Sequence, residues 1–84
     1  MRNYNIVWGE ISNVVIFRPL EEGGKIFRLT KENKVTYVLT TGDVKISAPL
    51  AGCLEYVSEF LTKEDLVALA EVLYYWGLIT ERKQ

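Results

Sequence analysis

The 84-residue chain contains no histidine and a single cysteine, Cys53. Without histidine, the commonest general base and the commonest metal ligand are missing. A Ser–His or Cys–His nucleophilic pair cannot be built, and zinc, which needs several Cys or His ligands, is excluded. One cysteine permits no internal disulfide, whereas small secreted domains usually carry several. A reducing, cytoplasmic setting is therefore expected. No apolar run approaches the roughly 18–20 residues that a membrane span requires. Met1-Arg2-Asn3-Tyr4-Asn5 leads into a β-like run rather than the apolar stretch of a signal peptide.

What the chain does have is apolar content, 49% hydrophobic and 12% aromatic. A chain this short buries only roughly 60–65% of the surface its unfolded form exposes, so that content goes into one core, and residues 1–84 are expected to form one domain without a structural metal. The pattern changes near Ser47, where a period of two gives way to one near 3.6. Residues 1–47 form a β-rich half and 48–84 a helical half. The formal net charge is −1, split as +2 over residues 1–50 and −3 over residues 51–84.

The β-rich half reads as an antiparallel meander of about four to five strands. Residues 4–8 (YNIVW) and 11–17 (ISNVVIF) are rich in β-branched and aromatic side chains. Residues 18–24, with Pro19 and Gly23-Gly24, form a loop. Residues 25–30 make the next strand and 31–33 a turn. Residues 34–41 and 43–47 pair as a hairpin around Gly42. Val35, Tyr37 and Leu39 share one face of that strand; Thr36, Val38 and Thr40 share the other, more solvated one.

Two helices follow, with a short closing strand expected over 78–82. The first runs from about Pro49 to Leu61 and carries Leu50, Cys53, Leu54, Val57, Phe60 and Leu61 on one stripe. The second runs from about Lys63 to Trp76, with Thr62 as N-cap, Asp65 as the acid of a capping box, Leu61 and Leu66 as a hydrophobic staple, and Gly77 as its stop. Leu66, Leu69, Ala70, Leu73 and Trp76 form its core stripe, and Val67, Val72 and Tyr74 widen the apolar surface beyond it. Only Glu64, Ala68, Glu71 and Tyr75 mark a solvent line. A helix so broadly apolar is either wrapped by the sheet or also meets a partner.

Catalytic and cofactor equipment is sparse. Cys53 falls on an apolar stripe with no basic neighbour in sequence, which is the setting of a packed thiol rather than a nucleophile. Glu55 and Glu59 lie one helical turn apart, the spacing of a carboxylate pair but equally of an ordinary solvated face. Gly23-Gly24 is followed by neither Lys-Ser/Thr nor a helix start, so it is no phosphate loop. No metal, no cofactor and no enzymatic activity are expected. Lys25, Arg28, Lys31, Lys34 and Lys45, with Phe27 and Tyr37 among them, have the interleaving of a single-strand nucleic-acid face. A pI near 5.4 opposes that use.

Residues 62–82, TKEDLVALAEVLYYWGLITER, resemble the end of a winged-helix domain, where a capped helix closes with a leucine, a glycine and an apolar pair, here Leu73, Gly77, Leu78 and Ile79. Peptide-recognition domains related to the pyrroloquinoline-quinone biosynthesis chaperone are similar at this point, and they too place strands before the helices. Glu64, Asp65 and Glu71 would line the helix that reads DNA in such a fold. The resemblance therefore implies protein or peptide contacts rather than DNA reading by that helix.

Three readings follow. The first is a non-catalytic protein- or peptide-binding module, an adaptor, chaperone or inhibitor of a larger complex. Its candidate partner-binding residues are Tyr74, Tyr75, Trp76 and Val72, and an exposed strand edge would serve β-addition. The second is a nucleic-acid-binding regulator using Lys25, Arg28, Lys31, Lys34 and Lys45, or the tail Arg82-Lys83. The third is a homo-oligomeric structural protein whose second helix faces a symmetry mate.

Overall fold

In the computed structural model, which describes residues 3–8 and 13–77, alternation turns directly into a sheet. Five strands, β1 (Tyr4–Trp8), β2 (Val14–Pro19), β3 (Phe27–Lys31), β4 (Tyr37–Thr41) and β5 (Val44–Ala48), pair antiparallel in the order β1-β2-β3-β4-β5. The register aligns the large apolar residues across strands: Ile6 with Phe17, Phe17 with Phe27, Leu29 with Leu39, and Leu39 with Ile46. Side chains opposite one another share a face, so one face of the sheet is a continuous apolar surface.

Two helices cover that face, α1 (Leu50–Val57) and α2 (Lys63–Trp76). Helix α1 packs against β4 and β5, and α2 against β1. The core joins Tyr4, Ile6, Val15, Phe17, Phe27, Leu29, Tyr37 and Leu39 to Cys53, Val57, Leu61, Leu69 and Leu73. None of the described elements lies over the opposite face. The domain is therefore α+β, a five-stranded meander followed by two helices, as the switch of period predicts.

Several boundaries differ from the sequence reading. Strand β2 extends to Pro19, so Arg18 and Pro19 pair with Asn5 and Tyr4 instead of lying in a loop. Proline is tolerated there because β3 pairs with β2 only as far as Phe17, which leaves Pro19 at a local edge of the sheet, and the next amide, Leu20 N–H, donates to Asn3 C=O at 2.9 Å. Strand β4 starts at Tyr37. Before it, Asn33 Oδ1 accepts from Val35 N–H at 3.0 Å and Thr36 N–H at 2.8 Å, an asparagine-made turn. That turn throws Val35 into solvent instead of onto the core row with Tyr37 and Leu39.

Helix α1 ends at Val57 rather than Leu61. The chain tightens there through i+3 bonds, from Glu59 N–H to Tyr56 C=O and from Phe60 N–H to Val57 C=O. Phe60 thereby leaves the helix stripe, and its ring lies 5.6 Å from Phe27 and 5.3 Å from Tyr56. Ala70, expected in the core stripe, is exposed. The closing strand expected over 78–82 lies outside the described residues, as does the tail Arg82-Lys83.

Candidate functional site

The orientation of α2 is fixed at its N-terminus by one carboxylate. Thr62 caps the helix, and Asp65 N–H donates back to Thr62 Oγ1 at 3.2 Å. The Asp65 side chain reaches further than a capping box requires. It accepts from Thr62 Oγ1–H at 2.8 Å, from Asn3 N–H at 2.9 and 3.1 Å, and from Tyr4 N–H at 3.0 Å. Thr62 N–H also points at it, at 3.4 Å. The carboxylate thus ties the start of β1 to the start of α2 across 62 residues of sequence. Burial pushes its pKa up, but the hydrogen bonds from the Thr62 side chain and from the Asn3, Tyr4 and Thr62 amides outweigh that, and the carboxyl rests below its ordinary value. For the Tyr4 hydroxyl, burial and then the Asp65 charge both raise the pKa.

With that end anchored and Leu69 and Leu73 buried, α2 turns a defined surface outward. Tyr75 is 74% exposed, Tyr74 57% and Val67 55%. The Tyr74 and Tyr75 rings meet edge-on, 5.7 Å apart at 86°, the arrangement aromatic pairs prefer. The four candidate partner residues therefore divide. Tyr74 and Tyr75 face solvent, while Val72 and Trp76 pack against the core. Val67, which the sequence reading counted only as extra apolar width, belongs with the exposed pair. Glu64, Val67, Glu71 and Tyr74 recur at i, i+3, i+7 and i+10, which places them along one side of the helix.

The basic residues divide as well. Lys25 lies over the Phe60 ring at 5.1 Å, on the side of the helices. Lys31 pairs with Tyr37 and shares its side of the sheet. Lys34 sits in the turn before β4. Only Arg28 and Lys45 come together on the open face, in the row Val7, Ile16, Arg28, Thr40, Lys45. Arg18 joins them once β2 is extended. Among the described strand residues this face carries three cations and no carboxylate, with Val7, Val14 and Ile16 between them; Val38, expected on the more solvated face of β4, is buried. Arg18 escapes the sequence reading because Pro19 reads as a loop signal; the period of two continued through 14, 16 and 18 finds it.

No cluster of three potential metal ligands occurs among the described residues. Glu55 lies on α1 and Glu59 in the turn beyond it, both exposed. Cys53 is fully buried, its Sγ 3.7 Å from Ala48 C=O and 3.8 Å from Tyr37 C=O. Burial raises its pKa, against a smaller lowering by the Ala48 carbonyl contact. Gly23 has φ +85° in the loop between β2 and β3, a turn position. Among the described residues no helix is long and apolar enough to cross a membrane. No protein-family model matches this chain, and neither does any curated protein or solved structure.

Proposed function

We propose that this domain is a non-catalytic module that binds a protein or peptide through the outer face of α2. The observation that carries it is the exposure of Val67, Tyr74 and Tyr75 on a helix whose inward stripe is already used by the core. Large exposed aromatics on a rigid element are the residues that dominate interface energetics, and the Asp65 anchor holds them in place before any partner arrives. The resemblance of residues 62–82 to peptide-recognition domains points the same way; the single buried thiol suits a reducing, cytoplasmic compartment for such a module.

The test is Tyr75→Ala in the full chain, used as bait in native lysate treated with nuclease. The expected result is loss of a specifically retained protein, with unfolding free energy changed by no more than about 0.5 kcal/mol, as for a surface substitution. Retention of the same partners by the variant would remove this face from the function.

A second reading, nucleic-acid binding, is favoured by one observation, three cations and no carboxylate among the described strand residues of the open sheet face. The strand aromatics Tyr4, Phe17, Phe27 and Tyr37 all turn toward the helices, so this face offers phosphate contacts without a stacking platform. Salt-dependent binding of a generic oligonucleotide, abolished by Arg28→Ala with Lys45→Ala, would support it. Absence of such binding at low ionic strength would end it.

A further inference from the structure

We infer that the α2 outer face takes as its partner the open sheet face of a second copy of this chain, so that copies associate head to tail; this rests on the protein-binding reading above and names the partner. The two surfaces lie on opposite sides of the domain and are complementary in charge. One has carboxylates, Glu64 and Glu71, alternating with the exposed Val67 and Tyr74, and a single cation, Lys63, at its N-terminal end, so its balance is acidic. The other has cations, Arg18, Arg28 and Lys45, set among the exposed Val7 and the half-buried Val14 and Ile16, with no carboxylate among its described strand residues.

The spacings agree as well. A helix rises about 1.5 Å per residue, which puts Val67, Glu71 and Tyr74 about 4.5, 10.5 and 15 Å along the axis from Glu64. Strands lie about 4.8 Å apart, which puts Thr40, Arg28 and Ile16 about 5, 10 and 14 Å across the sheet from Lys45. A helix crossing the strands of a second copy would set Glu64 over Lys45, Val67 over the Thr40 methyl, Glu71 over Arg28 and Tyr74 over Ile16. Both halves of each match come from the same chain, so the contact repeats. Because the surfaces differ, it generates a ring or an open stack rather than a two-fold dimer.

The open face measures roughly 24 by 17 Å from strand spacing and rise. That is a small interface, at the weak and transient end of the range, so association should appear at high protein concentration and weaken with salt.

The experiment is sedimentation velocity of the purified full chain over a wide concentration range at low and high ionic strength, with Arg28→Glu, Glu71→Arg and the double variant. Arg28 and Glu71 are both exposed, and melting curves check that each variant folds. The expected result is concentration-dependent association of the wild type, at least roughly tenfold weaker in each single variant, a loss of 1.4 kcal/mol or more, and recovered in the double variant. A wild type that stays monomeric, or an association indifferent to both substitutions, overturns the inference. If that happens while Tyr75→Ala still loses a retained protein, the binding-module reading stands with a different partner. If self-association follows the charge swap and Tyr75→Ala loses nothing from lysate, the α2 face serves the chain's own copies alone.

Discussion

Removing the Asp65 carboxylate should destabilise the domain more than any other single polar substitution among the described residues. The side chain is fully buried and accepts from three partners at 2.8–3.1 Å, the Thr62 hydroxyl and the Asn3 and Tyr4 amides. Asp65→Ala removes the carboxylate acceptor of the buried Tyr4 amide, at about 1–3 kcal/mol, and removes charge-assisted bonds worth about 1.5–3 kcal/mol each before water replaces some of them. A net loss of about 3–4 kcal/mol follows, in the range reserved for broken buried networks. For a domain of this size that lowers Tm by roughly 15–25 °C. Asp65→Asn, of the same shape, should lose about 2–3 kcal/mol, because it turns one acceptor into a donor facing donors. The pH dependence separates charge from shape. The folded pKa lies below the unfolded value of about 4, so between the two the unfolded state binds more protons. The stabilisation is complete above the unfolded pKa and disappears as pH falls through the folded one. Urea unfolding of wild type and Asp65→Asn from neutral to strongly acidic pH should therefore show a gap that is constant near neutrality and closes below about pH 4. A gap under about 0.5 kcal/mol at neutral pH, the size of an ordinary surface effect, would refute the anchoring role. A gap that stays constant into acid would show that the pattern of acceptors, not the charge, holds the two segments.

Three further outcomes test the packing. Gly77→Ala forces a side chain onto φ +92° at the end of α2, so unfolding should become about 1–2 kcal/mol easier by urea titration, the cost of a left-handed residue with a Cβ. Leu69→Ala, at a fully packed site of α2, should cost about 2–5 kcal/mol; a loss near zero would mean that α2 is not docked on the sheet. Cys53 should react with a thiol reagent far more slowly in the folded protein than in denaturant, since it is buried and its pKa is raised; equal rates would place the thiol on the surface.

The elements legible in the sequence are those set by local chemistry. The period of two in VVIF, the Thr62–Asp65 capping box and the Gly77 stop each need only near neighbours, and each is found in the structure. The misplacements share a cause of the opposite kind. Whether Arg18 and Pro19 belong to a strand depends on β1 needing partners for Tyr4 and Asn5. Whether α1 continues past Val57 depends on Phe60 finding the Phe27 ring on a distant strand. Local rules favour a loop at Pro19 and a helix through Phe60; cross-strand pairing and aromatic packing override both.

The candidate surfaces follow the same division. That α2 is too apolar for one buried stripe was readable, and Tyr75 was singled out as the exposed member of its aromatic run. Which of Val67, Val72, Tyr74 and Trp76 would join it was not, because helical spacing gives relative angles and not the direction in which the helix is clamped. That direction is set by Asp65, whose carboxylate binds two amides more than sixty residues away, and by Leu69 and Leu73 beneath it. Once it is set, Val72 and Trp76 must turn inward and Val67, Tyr74 and Tyr75 outward. The basic residues separate by the same logic: Lys31 and Arg28 differ by an odd number of positions on β3, and no sheet brings them to one face. What gathers Arg28 with Lys45 and Arg18 is the order of the strands, a property of the whole meander. The capping box acid thus has a second consequence beyond helix stability, because it fixes which side of α2 remains available to a partner.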